Sequence, residues 1–302
     1  MKNLQNLTSK IKGSLYGFAI GDAMGATTEF MDEVQIKKRY GEVRDIIGGG
    51  WLHLKAGEVT DDTQMTMCVC EAIEYGYGKN RQWSAIEFRN AYEAMLTKCC
   101  YNFSQWYLSN PPDIGNCCRK VISQCLNNRY FDRWMKVADD PNSLGNGSLM
   151  RTMPIVLAGL GCQAALSQGR LTHNNKPCDY ALEIYYNNME ELLYHDTFRN
   201  STTQTYEPTG HVLNTLNNAL YWAQHTDSLE QAIIKAVNHG GDADTIAAIT
   251  GSMAGALYGY EAIPQRWIEQ LDPKVKADLD RYTELFIKLL EKNVKKVCTN
   301  LE

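Results

Sequence analysis

Several features that would assign this chain to a common class of protein are absent from its sequence. No stretch of 18 consecutive apolar residues is present, so a membrane-spanning helix is not expected. Basic residues form no stripe, and 30 lysines and arginines stand against 35 acidic residues, for a net charge of −5; a nucleic-acid groove is therefore not expected either. The zinc-protease motif H-E-x-x-H and the serine-hydrolase motif G-x-S-x-G are both missing.

The cysteines do not form a recognisable metal-binding or disulfide pattern. Ten are present, but no two are spaced as C-x-x-C, and four of them occur as the adjacent pairs Cys99-Cys100 and Cys117-Cys118. Such usage favours reduced thiols. The first 25 residues contain basic side chains but no apolar stretch of signal-peptide length. We therefore expect a soluble protein located in the cytoplasm.

Helical periodicity dominates the chain, and alternating strand patterns are scarce. Segments such as DYALEIYYNNMEELLYH and LEQAIIKAVNHG carry apolar residues at spacings of three and four. A chain of 302 residues can bury roughly three quarters of its unfolded surface, and no low-complexity linker or proline-rich hinge interrupts it. The sequence predicts one all-α domain over residues 1–302, a compact orthogonal bundle of many helices.

Glycines recur every four residues in two of the predicted helices. Gly13, Gly17, Gly21 and Gly25 form one stripe, and residues 251, 255 and 259 repeat the spacing within TIAAITGSMAGALYGY, which is apolar nearly all round. Each helical glycine costs about 1 kcal/mol relative to alanine, so a repeated stripe indicates close approach of another backbone. The two helices are predicted to pack against each other.

Two acidic clusters stand at predicted helix starts. Thr60-Asp61-Asp62-Thr63 precedes one apolar-periodic segment, and Asp242-Ala243-Asp244-Thr245 precedes the second glycine-striped helix. One interpretation is a pair of helix N-caps, because Asp and Thr oxygens accept the free N–H groups of a first turn. A cap needs one oxygen, however, and four carboxylates in one fold favour a hard divalent cation. The surplus of carboxylates favours a dinuclear centre.

Two other motifs offer competing interpretations of the sequence. GLGCQA at residues 159–164 follows PIVLA and matches the loose dinucleotide pattern G-x-G-x-x-A, with Asp179 about twenty residues on. The strands that a βαβ unit requires are missing elsewhere. DADTIAAIT does not fit a calcium loop because Ile246 stands at the fifth position, where an oxygen ligand belongs.

Six ordered motifs carry a family resemblance. They are GDAMGATTEF (residues 21–30), IGGGWLHLKAGEVTDDTQM (47–65), PPDIGNCCRK (111–120), GNGSLMRTMP (145–154), LTHN (171–174) and NHGGDADTIAAITGSMAGALYG (238–259). In this order the sequence resembles the ADP-ribosylglycohydrolases over nearly its whole length, and especially those that act on dinitrogenase reductase. The resemblance implies an all-α hydrolase that uses two divalent cations, Mg²⁺ or Mn²⁺, to remove ADP-ribose from modified side chains.

The resemblance also implies roles for particular residues. The metal ligands would be Thr60, Asp61, Asp62, Asp242, Asp244 and Thr245. The catalytic residues would be Asp113, Glu29 and Asp62, and the ADP-ribose cleft would be lined by Gly115, Asn116, Asn146, Gly147, Ser148 and His173. By themselves, Asp113 could be a turn residue, His173 an exposed loop histidine and Glu29 a helix cap. The chain departs from the family where His211 replaces an expected tyrosine near the adenine.

The expected partner is an ADP-ribosylated protein, with dinitrogenase reductase as one candidate, and the chain is expected to act as a monomer. The preferred hypothesis is cleavage of arginine-linked ADP-ribose. Two alternatives stay open: a hydrolase of O-linked ADP-ribose, on serine or as O-acetyl-ADP-ribose, and a non-catalytic relative that binds ADP-ribose.

Overall fold

The protein is built from α-helices. The computed structural model describes residues 2–78, 85–126 and 128–299, and these form no β-strand. The helices are α1 (Lys2–Gly25), α2 (Glu33–Tyr40), α3 (Asp61–Tyr77), α4 (Ala85–Leu108), α5 (Asn116–Cys125), α6 (Phe131–Val137), α7 (Met153–Leu157), α8 (Cys162–Arg170), α9 (Lys176–His195), α10 (Val212–Gln224), α11 (Leu229–His239), α12 (Ala243–Tyr258), α13 (Gln265–Gln270) and α14 (Pro273–Thr299). Asn146–Ser148 and Tyr260–Ala262 form short 3₁₀-helices. The all-α prediction is confirmed.

The two glycine-striped helices, α1 and α12, form the central pair. A Cβ atom added at Gly17 would lie 2.2 Å from the carbonyl oxygen of Gly251, and one added at Gly13 would lie 2.6 Å from that of Gly255. At Gly21 the nearest atom would be the carbonyl oxygen of Ala247, at 2.1 Å. The two backbones therefore touch along the stripe, as the spacing predicted, and a side chain at these positions would force them apart.

The remaining helices cover this pair. Helix α12 is buried on every side from Ala243 to Gly255, because α10 and α11 pack against it in addition to α1. Helix α14 packs against α1, and α4 packs against α3. The core side chains include Phe18, Ile249 and Trp267, which are almost fully buried. No helix in the described part of the chain is long and apolar enough to cross a membrane.

Five helices lay outside the sequence-based expectations: α2, α6, α7, α8 and α13. All five are short, at five to nine residues, so their periodicity is brief. Helix α7 contains the PIVL segment, and Gly159 and Gly161 lie in the turn before α8. The dinucleotide-binding alternative fails here, because a helix stands where the motif requires a strand.

Helix ends and loops meet at one end of the central pair. Asp22, in the last turn of α1, accepts hydrogen bonds from the residues that begin α3. Thr245, in the first turn of α12, donates to Asp62 of α3 at 3.1 Å. The loops before α5 and α10 lie beside them. This arrangement gathers polar groups from seven separate stretches of the sequence around one cleft.

Candidate active site

A deep acidic cleft of about 720 Å³ opens at this end of the molecule. Pockets that hold small molecules in proteins commonly span 300–1,000 Å³. Six carboxylates line it, from Glu29, Asp61, Asp62, Asp113, Asp242 and Asp244. The other lining residues that the sequence predicted are Gly115, Asn116, Asn146, Gly147, His173 and Thr245. Among the described lining residues, Arg119 is the single cationic side chain.

The first acidic cluster begins α3. Thr60 is the N-cap, and its Oγ1 accepts the Asp62 N–H at 3.3 Å, so the helix-cap interpretation is correct for this threonine. Asp61 and Asp62 follow in the first turn, where backbone N–H groups favour negative charge. Both carboxylates reach the cleft, whereas the buried Thr60 does not line it.

A carboxylate that the sequence analysis did not single out holds this cluster in place. Asp22 is fully buried and accepts hydrogen bonds from the N–H and Oγ1–H groups of both Thr60 and Thr63, at 2.5 to 3.2 Å. Because the Thr60 hydroxyl donates to Asp22 and accepts the Asp62 N–H, one lone pair of its oxygen stays available. The available clue was an acidic residue between two stripe glycines, Gly21 and Gly25, in an otherwise buried helix.

The second acidic cluster lies at the start of α12 and joins the first. Asp242 occupies the N-cap position but makes no side-chain cap bond; its Oδ2 instead accepts from the Asn146 amide at 2.5 Å. Asp242, Asp244 and Glu29 can each place one carboxylate oxygen within 4.8 Å of the other two. Thr245 Oγ1 donates to Asp62 Oδ2, which links the two clusters directly.

Glu29 is held by an indole group rather than acting as a helix cap. The Trp51 Nε1–H donates to Glu29 Oε2 at 2.5 Å, while the N-cap of the following helix α2 is Asp32. The Trp51 ring also lies against Phe30, with ring centroids 5.4 Å apart. Phe30 adopts a φ of +62°, stabilised by its N–H bond to the Gly241 carbonyl at 2.7 Å. Trp51 and Phe30 were not among the predicted site residues.

Burial and mutual repulsion disfavour the charged forms of these carboxylates. Burial raises the pKa of Glu29 to about 8, and the charges of Asp242, Asp113 and Asp61 add to the rise. Burial, reinforced by the charge of Asp113, raises the pKa of Asp61 to about 8 as well. The pKa values of Asp62 and Asp244 also lie well above the ordinary carboxyl range, again chiefly because of burial. A cation in the cleft would relieve both effects.

The loop between α4 and α5 brings Asp113 over the first cluster. Asp113 is close enough to Asp61 for the two carboxyl groups to interact, and burial raises the pKa of Asp113. Its Oδ1 accepts the N–H of Ile114 at 2.7 Å. Gly115 stands at the N-cap of α5, and Asn116 begins that helix. The loop therefore places a carboxyl group and a helix N-terminus on the cleft together.

The remaining predicted substrate-binding residues are Asn146, Gly147, Ser148 and His173, and all but Ser148 line the cleft. The Asn146 amide is occupied by Asp242 and by Thr215 Oγ1, at 3.0 Å, so its side chain positions a carboxylate. His173 is buried and lines the cleft. Ser148 is fully buried and does not line it. His211 caps α10 by accepting the Leu213 N–H at 3.3 Å, and it also lies outside the lining.

Comparison with known proteins decides the family. The model of the ADP-ribosylglycohydrolase family matches residues 3–200 and 181–296. The chain is 32% identical over 301 residues to ADP-ribosyl-[dinitrogen reductase] glycohydrolase of Rhodospirillum rubrum, covering 92% of this chain and 95% of that protein. The chain belongs to the ADP-ribosylglycohydrolase family. The resemblance seen in the six sequence motifs is thereby confirmed, together with the assignment of the chain as a hydrolase of this family.

Other relatives agree with the family assignment. ADP-ribosylarginine hydrolase Tri1 of Serratia proteamaculans is 29% identical, over 87% of this chain and 75% of its own length. Among solved structures, an ADP-ribosylglycohydrolase-related protein complex superposes with a TM-score of 0.74 at 24% identity, covering 94% of this chain and 99% of that one. This structural likeness shows that the family members share the all-α fold.

Proposed function

We propose that this enzyme hydrolyses the N-glycosidic bond between ADP-ribose and an arginine side chain of a modified protein, in a reaction that requires two divalent cations, Mg²⁺ or Mn²⁺. The observation that carries the proposal is the cleft itself, in which six carboxylates face a single described cationic side chain, Arg119. The names of the Rhodospirillum and Serratia relatives, which specify ADP-ribosylated dinitrogen reductase and ADP-ribosylarginine, support the substrate class. Dinitrogenase reductase is one candidate target.

The donor set fits hard cations. Oδ1 of Asp62 is buried and has no hydrogen-bond partner among the described residues, a costly arrangement for a carboxylate oxygen unless a cation pairs with it. Asp242, Asp244 and Glu29 offer a second group of oxygens within 4.8 Å of one another. We assign Thr60, Asp61, Asp62, Asp242, Asp244 and Thr245 as the metal ligands, with Glu29 beside them. All are oxygen donors, which suits Mg²⁺ and Mn²⁺.

The bound ions would orient the cis-diol of the ribose and acidify a water near the anomeric carbon. The carboxylates of the cleft serve the rest of the reaction, because the transition state of glycoside cleavage develops positive charge on the sugar. Asp113 reaches the cleft from a loop, and Glu29 is oriented by Trp51, so each can hold or deliver the proton that a basic guanidine takes up as it leaves.

The test is a substrate panel. The purified protein is incubated with arginine-linked, serine-linked and O-acetyl-linked ADP-ribose, each with Mg²⁺, Mn²⁺ or a chelator, and released ADP-ribose is quantified by chromatography. We expect release from the arginine-linked substrate with either metal and none with the chelator. Release only from an O-linked substrate would reject the arginine assignment, and ADP-ribose binding without any release would identify a non-catalytic relative.

Matched variants assign the chemistry to residues. Asp61→Asn should abolish turnover with the helical circular-dichroism signal retained, because it removes the negative charge of a metal ligand without changing its shape. Asp113→Asn should bind ADP-ribose nearly normally yet turn over slowly. The control is Asp132→Asn, an exposed carboxylate on α6 that does not line the cleft, and it should behave as the native enzyme. Full activity of Asp61→Asn would contradict the proposed metal site.

A further inference from the structure

A hydrogen-bond chain leads from a buried arginine to the edge of the cleft. Arg151 is fully buried, and its Nη2 donates to Thr172 Oγ1 at 2.7 Å. Thr172 Oγ1 in turn lies 2.8 Å from Nδ1 of His173. Thr172 is fully buried, and His173 is 1% exposed. The chain therefore ends on a buried imidazole that lines the cleft.

The direction of the hydrogen bonds follows from the chemistry of arginine. A guanidinium group carries only donors, so Thr172 Oγ1 must accept from Arg151. The guanidinium is anchored by further bonds, from Nη1 to the Gly147 carbonyl and from Nε to Gln168 Oε1 at 3.1 Å. The Thr172 hydroxyl hydrogen is then free to point at His173 Nδ1, which makes Nδ1 an acceptor and leaves the ring proton on Nε2.

The opposite tautomer leaves a buried group unsatisfied. If Nδ1 of His173 carried the proton and donated to Thr172, the Thr172 hydroxyl hydrogen would exchange a ring nitrogen at 2.8 Å for the weakly accepting sulfur of Cys118 at 4.0 Å, its one other partner among the described residues. An unpaired buried donor is strongly disfavoured. A doubly protonated ring is disfavoured as well, because burial and the charge of Arg151 lower the pKa of His173 to about 3.

The other ring nitrogen faces two cleft-lining glycines. A Cβ atom added at Gly145 would lie 3.3 Å from His173 Nε2, and one added at Gly147 would lie 3.6 Å from it and 3.1 Å from Cε1. Nε2 has no hydrogen-bond partner in the described part of the chain. The absence of side chains at Gly145 and Gly147 leaves this edge of the ring accessible from the cleft.

We propose that Arg151 and Thr172 are positioning residues that lock His173 in its neutral Nε2–H tautomer, so that the ring presents a fixed donor to an oxygen atom of the bound ADP-ribosyl group. The ligand part of this inference rests on the proposed function, whereas the tautomer does not. A locked donor needs no rearrangement when the ligand arrives, which lowers the cost of binding.

The tautomer can be measured in the native protein. In long-range ¹H–¹⁵N correlation spectra of protein with ¹⁵N-labelled histidine, the six histidines give separate patterns, and a His173→Gln variant identifies the one of interest. We expect a neutral ring protonated at Nε2 at pH 7.5. A ring protonated at Nδ1, or at both nitrogens, would overturn the proposal without any need for a folded variant.

Variants then test the role of the hydroxyl. Thr172→Val keeps the shape but removes the O–H, so the Nε2–H signal should give way to a mixture of tautomers. The Kd for ADP-ribose should rise by about three- to tenfold, the worth of one hydrogen bond to the ligand. Thr172→Ser restores the hydroxyl and should restore both readouts. Thr250→Val is the matched control, since this buried threonine bonds within α12 to the Ile246 carbonyl.

The outcomes separate this inference from the proposed function. If Thr172→Val left both the His173 tautomer and the ADP-ribose affinity unchanged, the positioning role of Arg151 and Thr172 would be rejected. A shifted tautomer with unchanged affinity would reject the donor role of His173. If the native protein bound no ADP-ribose, the proposed function and the donor role would fall, while the spectrum would still decide whether Arg151 and Thr172 fix the ring.

Discussion

The contact between α1 and α12 makes a sharp prediction for Gly17→Ala. The added methyl would stand 2.2 Å from the Gly251 carbonyl oxygen and 2.9 Å from its carbonyl carbon. An ordinary C···O contact needs about 3.3 Å, so the helices must separate by about 1 Å. Neither atom can rotate away, because both belong to helical backbone. A gap of that size forfeits a quarter to a half of the local dispersion energy along the seam.

The expected loss of stability combines two opposing effects. Overpacking a core costs about 1–3 kcal/mol, and a contact between two backbones lies at the upper end of that range. Against this loss, alanine stabilises a helix by about 1 kcal/mol relative to glycine. The net loss should be about 2 kcal/mol, which corresponds to a fall in Tm of about 3 °C for a chain of this size. Thermal unfolding followed by circular dichroism, with chelator present, measures it.

Gly169→Ala is the matched control, because it makes the same change in another helix. There the added methyl would meet Leu182 Cδ2 at 2.4 Å, and that methyl can move by a rotation within its side chain. We expect a Tm within about 2 °C of the native value. Gly17→Ala should also weaken Mn²⁺ binding, since α1 carries Asp22 and α12 carries Asp244. Equal melting temperatures for both variants and the native protein would refute the reasoning.

Three further predictions concern the cleft and the fold. Burial raises the pKa values of Glu29 and Asp61 to about 8, so in metal-free protein the folded state holds their protons more tightly than the unfolded state does. Their contribution to the free energy of unfolding is therefore fully present below about pH 4 and is lost as the pH rises toward 8. Added Mn²⁺ should therefore raise Tm more at pH 8 than at pH 5.5, and an equal rise at both would contradict this. Trp51→Phe keeps an aromatic ring at this position but removes the hydrogen bond to Glu29, so kcat should fall about three- to tenfold with little change in KM. An unchanged kcat would show that Trp51 does not position Glu29. Lys10→Met should lower the free energy of unfolding by about 2–3 kcal/mol, because Lys10 is buried and its Nζ donates to the Leu192 carbonyl in the last turn of α9 at 2.5 Å. Asp196, the ion-pair partner of Lys10, is exposed, so Asp196→Asn should cost under about 1 kcal/mol. A larger loss for Asp196→Asn than for Lys10→Met in denaturant unfolding would contradict this role of Lys10.

Much of the candidate site was predictable because its residues carry local patterns. The clusters at Asp61 and Asp242 stand out as surplus carboxylates at helix starts, and the structure places both on one cleft. Asp22 escaped notice because a single acid in an apolar helix has no pattern; its importance lies in four bonds to residues about forty positions away. Trp51 was not predicted as a site residue for the same reason, since no pattern near it in the sequence indicates that it bonds to Glu29.

The sequence by itself determined the elements of this protein. Periodicity specified the long helices and the glycine stripes specified which two would touch, because both patterns depend on neighbours within a few turns. The ordered motifs specified the family. Only the tertiary structure decided how polar groups pair: Thr245 with Asp62 across 183 positions, Trp51 with Glu29, and Thr172 with Arg151 and His173. Hydrogen bonds act over about 3 Å, so their partners are set by how the helices pack and not by where the residues stand in the chain.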